Sequence, residues 1–170
     1  MRVLFVTSEA PPLMKTGGLA DVSASLPRAL QSLGHQVTLL MPAYRDALAA
    51  AGPLGVKLAA TRDVDGRHVR LLQTRLPGSR NKVWLLDCPE LFDRPGHPYH
   101  DAGGLAWAAN AERVMLLCRV GALLAEDAFG LGWRPEVVHC NDWQSALVPL
   151  LLHARHPRPA LVFTIHNLAY

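Results

Sequence analysis

Unusual polar segments interrupt an otherwise apolar chain. The first is Lys15-Thr16-Gly17-Gly18-Leu19-Ala20-Asp21, paired glycines ahead of an apolar helical pattern. Backbone N–H groups at a helix N-terminus attract anions, and a lysine beside them adds a mobile positive charge. The spacing fits neither a Walker A loop nor the Gly-x-Gly-x-x-Gly dinucleotide fingerprint. An ordinary loop with a surface lysine is the alternative. The second segment is His139-Cys140-Asn141-Asp142-Trp143-Gln144. Asp142 either caps the next helix or presents a carboxylate to the hydroxyls of a sugar. The third is Thr164-Ile165-His166-Asn167, a His-Asn pair leaving an apolar strand. His97-Pro98-Tyr99-His100-Asp101 invites a metal reading, but no Cys or Glu is placed to complete a ligand set. No metal is expected.

These segments need elements to position them. Val3 to Thr7 is a β-branched apolar run of strand length, as in parallel strands covered on both faces. After a loop holding Pro11-Pro12 and Gly17-Gly18, apolar residues from Leu19 to Leu33 recur at helical spacing. Pro27 should kink or restart that helix, and Gly34 should end it. Val37 to Met41 reads as the next strand, completing a βαβ unit. Val56–Thr61, Val69–Thr74 and Val83–Asp87 read as strands, the first two joined by a hairpin at Asp65-Gly66. Pro89 to Gly104 reads as a loop and Leu105–Ala125 as one long helix. Val137–Cys140 is expected as a strand, Trp143–Ala154 as a helix and Ala160–Ile165 as a last strand. Alternating strands and helices predict an α/β, doubly wound, mostly parallel sheet. In such sheets ligands bind at the carboxyl ends of strands. That rule selects the loops Ser8–Gly18 and Asn141–Gln144 and the segment from His166 onward.

Composition narrows the function classes. The chain has 170 residues, 50% apolar and 18% charged, which excludes intrinsic disorder and suits one domain. No apolar run approaches the roughly 18 residues of a membrane span. Net charge is +3, with basic residues scattered, so no nucleic-acid footprint is expected. Cys88, Cys118 and Cys140 form no Cys-x-x-Cys pair and sit among apolar residues. They read as buried thiols, and with no signal-peptide pattern the expected location is cytoplasmic.

Taken in order, these segments resemble the bacterial glycogen synthase and plant starch synthase family. The resemblance rests on Val3 to Glu9, Pro12, Lys15 to Val22, Asp93-Arg94-Pro95-Gly96-x-Pro98-Tyr99, His139 to Gln144, and Phe163 to Tyr170. It implies a Rossmann-like N-terminal domain, residues 1–170, of a two-domain GT-B glucosyltransferase, with the C-terminal domain absent from this chain. The implied reaction adds glucose from ADP-glucose to the non-reducing end of an α-1,4-glucan such as glycogen, retaining and without a metal or other cofactor. By match to the family motifs, His166 and Asp142 are the implied catalytic residues. Lys15, Gly17, Gly18, Asp21 and Asn167 are implied donor-binding positions, and Tyr99 lines the acceptor or glucose pocket. Ala109 and Val114 depart from the residues common at their positions. The alternatives are another GT-B nucleotide-sugar transferase, or a nucleotide- or glycan-binding module without catalysis.

Overall fold

The computed structural model describes residues 1–167. The expected Leu168-Ala169-Tyr170 end of the last motif lies outside the described residues. In chain order the strands are β1 (Arg2–Val6), β2 (Gln36–Pro42), β3 (Lys57–Val64), β4 (Arg67–Arg75), β5 (Lys82–Asp87), β6 (Val137–Asn141) and β7 (Ala160–Thr164). The helices are α1 (Gly18–Ser32), α2 (Arg45–Ala51), α3 (Pro89–Phe92), α4 (Asn110–Ala125) and α5 (Val148–His153). All the strands form one sheet in the order β3-β4-β5-β2-β1-β6-β7. From β5 to β7 every pairing is parallel, while β3 and β4 form an antiparallel edge.

β1 lies inside the sheet, between β2 and β6, and its apolar residues are covered on both faces. Leu4, Phe5 and Val6 are wholly buried, flanked by Leu39 and Leu40 of β2 and Val138 and Cys140 of β6. Burying side chains of this size contributes about 1.5–3 kcal/mol each. α4 packs on the sheet through Gly121, where an added Cβ would come within 3.3 Å of Val148, 3.5 Å of Val6 and 3.7 Å of Leu40. The three cysteines are free and buried. Burial pushes the thiols of Cys118 and Cys140 up to about 11 and about 12.

The expected local signals operate at several ends. Gly34, at φ +86°, follows α1. The His35 N–H donates to Leu30 O and the Gly34 N–H to Gln31 O, a Schellman ending. Asp65 and Gly66 both have positive φ, as the tight hairpin between β3 and β4 requires. Other expectations are corrected. α1 runs unbroken through Pro27; the proline removes one backbone donor, and its buried ring packs instead. The expected Leu105–Ala125 helix begins only at Asn110. The preceding stretch is held by the loop, with a bridge between His100 and Ala106 and the Trp107 N–H bonded to Tyr99 O. The expected Trp143–Ala154 helix is divided into a 3-10 turn, Trp143–Ser145, and α5, because Pro149 fits only a first helical turn. α2 was not anticipated, nor was α3 within the expected loop.

Candidate functional site

At the carboxyl ends of β1, β6 and β7 an open cleft of about 690 Å³ is lined by Glu9, Gly17, Gly18, Tyr99, Asp142 and His166, among others. Asn167 lies on the same wall. The segments selected by strand-end reasoning therefore meet. Each arrives by a different element: Gly17-Gly18 at the start of α1, Asp142 one residue past β6, His166 two residues past β7.

Glu9 organises the α1 entrance. Only 3% exposed, its carboxylate accepts from the Thr16 N–H at 2.5 Å, the Thr16 hydroxyl at 2.6 Å and the Gly17 N–H at 3.3 Å. The Gly17 amide is thus already engaged and the Ala20 N–H donates to Gly17 O at 3.3 Å, while the Gly18 and Leu19 amides come too early in α1 for a helical acceptor. Gly17 is extended, at φ −159°, so its backbone needs no glycine on conformational grounds. What glycine provides is room, since a Cβ on Gly17 or Gly18 would have no neighbour within 4 Å. A ligand can therefore approach the backbone. Lys15 and Asp21 stand at the rim, outside the lining, and pair with each other at 2.5 Å, both more than half exposed.

Tyr99 joins the loops. Its hydroxyl lies 2.7 Å from Ser8 Oγ, 2.9 Å from Glu9 Oε1 and 3.1 Å from Gln144 Nε2. A phenol has one proton, and the carboxylate can only accept it. The Ser8 hydroxyl and Gln144 amide then donate to the phenol oxygen. Burial, followed by Tyr44 and Glu9, pushes the Tyr99 hydroxyl above its ordinary range, so it stays protonated. Tyr99 thus offers its ring to the cleft and turns its hydroxyl inward. α4 holds the loop from behind, with the Arg113 guanidinium bonded to Pro98 O at 2.5 Å and Asn110 Nδ2 bonded to Tyr99 O at 2.8 Å. Arg113 has no carboxylate partner among the described residues. It lies 5.5 Å over the rings of Tyr44 and Phe92 instead, and burial lowers its pKa.

Asp142 does not cap the following turn with its side chain. It sits at φ 61°, ψ −179°, a region nearly confined to glycine, and such strain concentrates at functional positions. Its N–H is tied to Thr164 O at 2.8 Å. It is 7% exposed, and its carboxylate makes no bond to a described residue. His166 Nε2 lies 3.2 Å from Asn141 Oδ1. His139 packs edge-on against Phe5 and meets Thr164 Oγ1 at 2.8 Å. Burial, then His166, lowers its pKa. His97 and His100 also line the cleft, their Nδ1 atoms 3.2 Å apart. No group of three metal-ligating side chains gathers among the described residues.

Sequence reasoning missed Glu9, Ser8 and Gln144 as organisers. A glutamate directly after a buried strand was the available signal for the first. The other two carried none, since their partner Tyr99 is about 90 and 45 positions away.

A mostly parallel α/β sheet with an open cleft at its carboxyl edge, floored by a helix N-terminus and lined by carboxylate and imidazole groups, fits a Rossmann-like domain of the GT-B glycosyltransferase type. The family model described as "Starch synthase catalytic domain" matches residues 2–170, and the chain belongs to that family. It is 56% identical over 171 residues to glycogen synthase 1 of Methylococcus capsulatus, covering 100% of this chain and 34% of that protein. To the glycogen synthase of Cellvibrio japonicus it is 52% identical over 168 residues, covering 99% and 35%. The catalytic domain of starch synthase IV from Arabidopsis thaliana, solved bound to ADP and acarbose, is similar in fold. Its TM-score is 0.76 at 25% identity, covering 99% of this chain and 34% of that one. The chain thus spans about a third of the length of these relatives.

Proposed function

We propose that this chain is the N-terminal domain of a retaining glucosyltransferase that moves glucose from ADP-glucose to the non-reducing end of an α-1,4-glucan. The observation that carries the reading is the meeting of Gly17-Gly18, Asp142, His166 and Asn167 in one cleft. The chain belongs to the starch synthase catalytic family, and a solved relative binds ADP and acarbose. A facing domain, in the two thirds of the relatives that this chain does not span, closes the cleft. The buried, unpaired thiols suit a cytoplasmic setting.

Transfer builds negative charge on the departing diphosphate and positive charge on the anomeric carbon. First-turn amides of α1 meet the diphosphate over the open space at Gly17 and Gly18, where fixed dipoles stabilise developing charge. Lys15 supplies a cation by exchanging Asp21 for phosphate. The Asp142 carboxylate, without a partner among the described residues, accepts from sugar hydroxyls, and His166 and Asn167 hold the transferred glucose in a reactive pose. Glu9 is no candidate nucleophile, because its oxygens are engaged by Thr16, Gly17 and Tyr99. The test uses a protein of the relatives' length. Replacing His166 by alanine should lower kcat more than affinity for ADP, measured by calorimetry. Equal losses would place His166 on the nucleotide instead.

A further inference from the structure

We propose that Asn141 is a positioning residue that determines which nitrogen of His166 carries the proton. The proposal rests on His166 being a sugar-holding group. Asn141 is wholly buried. Its Nδ2 lies 3.2 Å from both Val6 O and His139 O. Carbonyl oxygens only accept, so the amide can face them only with its NH₂, and a flipped amide would set oxygen against two oxygens. The Asn141 Oδ1 is therefore the atom aimed at His166 Nε2, 3.2 Å away. Oδ1 also only accepts, so His166 must donate from Nε2. The neutral imidazole then carries its proton on Nε2 and leaves Nδ1 as a bare acceptor, suited to a sugar hydroxyl that donates. His139 differs, because its Nε2 meets a threonine hydroxyl that can donate or accept, and nothing there selects a tautomer.

The anchor is well chosen for precision. Val6 ends β1, His139 lies on the same strand as Asn141, and Asn141 pairs with Thr164 of β7, two residues before His166. The ring orientation is thus referred to β1, β6 and β7 together. The ionisable groups sharing the cleft wall with His166 are Glu9 after β1, Asp142 after β6, and His97, Tyr99 and His100 of the loop ahead of α4. His139 adds a further charge-sensitive neighbour from β6.

The test is a pH titration by two-bond proton–nitrogen spectra of this chain labelled at its histidines, in wild type, Asn141→Asp, Asn141→Leu and Thr164→Val. In wild type the neutral His166 should be protonated on Nε2 alone. Asn141→Asp sets one carboxyl oxygen against Val6 O and His139 O, so that oxygen takes a proton there while the other stays an acceptor toward His166, and the Nε2 tautomer should be preserved. Asn141→Leu should admit both tautomers. Thr164→Val, which touches His139, should leave His166 unchanged. If the leucine variant does not fold, the wild-type and aspartate spectra decide. Protonation of the neutral His166 on Nδ1, in wild type or in Asn141→Asp, overturns the proposal. These spectra do not require catalysis. Normal glucose transfer by His166→Ala would instead overturn the sugar-holding role and leave the tautomer assignment standing.

Discussion

Tyr99 shows how one hydroxyl can hold a site that its own element does not contain. It receives bonds from Ser8 and Gln144 and donates to Glu9, binding the post-β1 and post-β6 loops to the segment ahead of α4. Tyr99→Phe keeps the ring on the cleft but leaves buried polar partners unmet. The expected loss is about 1–3 kcal/mol, the scale of an unsatisfied buried group, read as a lowered denaturation midpoint. An unchanged midpoint would show that the loops are held without it. His139 gives the pH counterpart. Burial holds its pKa below the ordinary 6.5, so the unfolded chain binds the proton more readily than the native one. Its contribution is therefore complete above 6.5 and is lost as pH falls through the native value. Denaturant midpoints should fall as pH drops below the ordinary 6.5, and His139→Gln should flatten part of that slope. A slope unchanged by this substitution would remove His139 as its cause. At this scale the sequence made Asp142, His166 and the glycine pair legible, because polar residues at apolar strand ends stand out locally. The Glu9–Tyr99 bond was hidden, since it joins positions about 90 residues apart.

At the scale of elements, apolar runs and turn residues identified all seven strands of the sheet, with boundaries shifted by a few residues. They also identified the α1 ending at Gly34. The errors share a physical origin. Leu105 to Ala109 continue a helical pattern, yet loop pairing at His100 and Trp107 captures this stretch before α4 starts. Asp142 takes a left-handed φ that tilts the chain out of β6, and the helix expected from Trp143 restarts only at Val148. Tertiary contacts decide such cases, and periodicity does not report them. α4 itself is seated by a close approach. Gly121→Leu would drive a side chain into Val148, Val6 and Leu40, an overpacking that should cost about 1–3 kcal/mol. A denaturation curve matching that of wild type would mean that α4 can ride outward at no cost.

In the whole molecule, the cleft lies along one end of the sheet, and the antiparallel edge β3–β4 lies across β5 and β2 from β1. Among the described residues, no helix is long and apolar enough to cross a membrane. Among the described residues β7 pairs with β6 alone; its Val162 and Phe163, and Ile165 one residue past its end, are half-exposed near His166. The cleft wall holds the groups proposed to bind diphosphate and sugar, and the proposed transfer would also require an acceptor oriented against them. Orientation of reactants supplies up to about 7–11 kcal/mol in well-arranged cases, so one wall should bind without catalysing. The most direct measurement is incorporation of labelled glucose from ADP-glucose into glycogen. It compares this chain alone, a protein extended to the length of its relatives, and the extended protein carrying Asp142→Asn or His166→Ala. The account predicts transfer by the extended protein, strong loss in both variants and none by the chain alone. Transfer by the chain alone, or undiminished transfer by both variants, would contradict it.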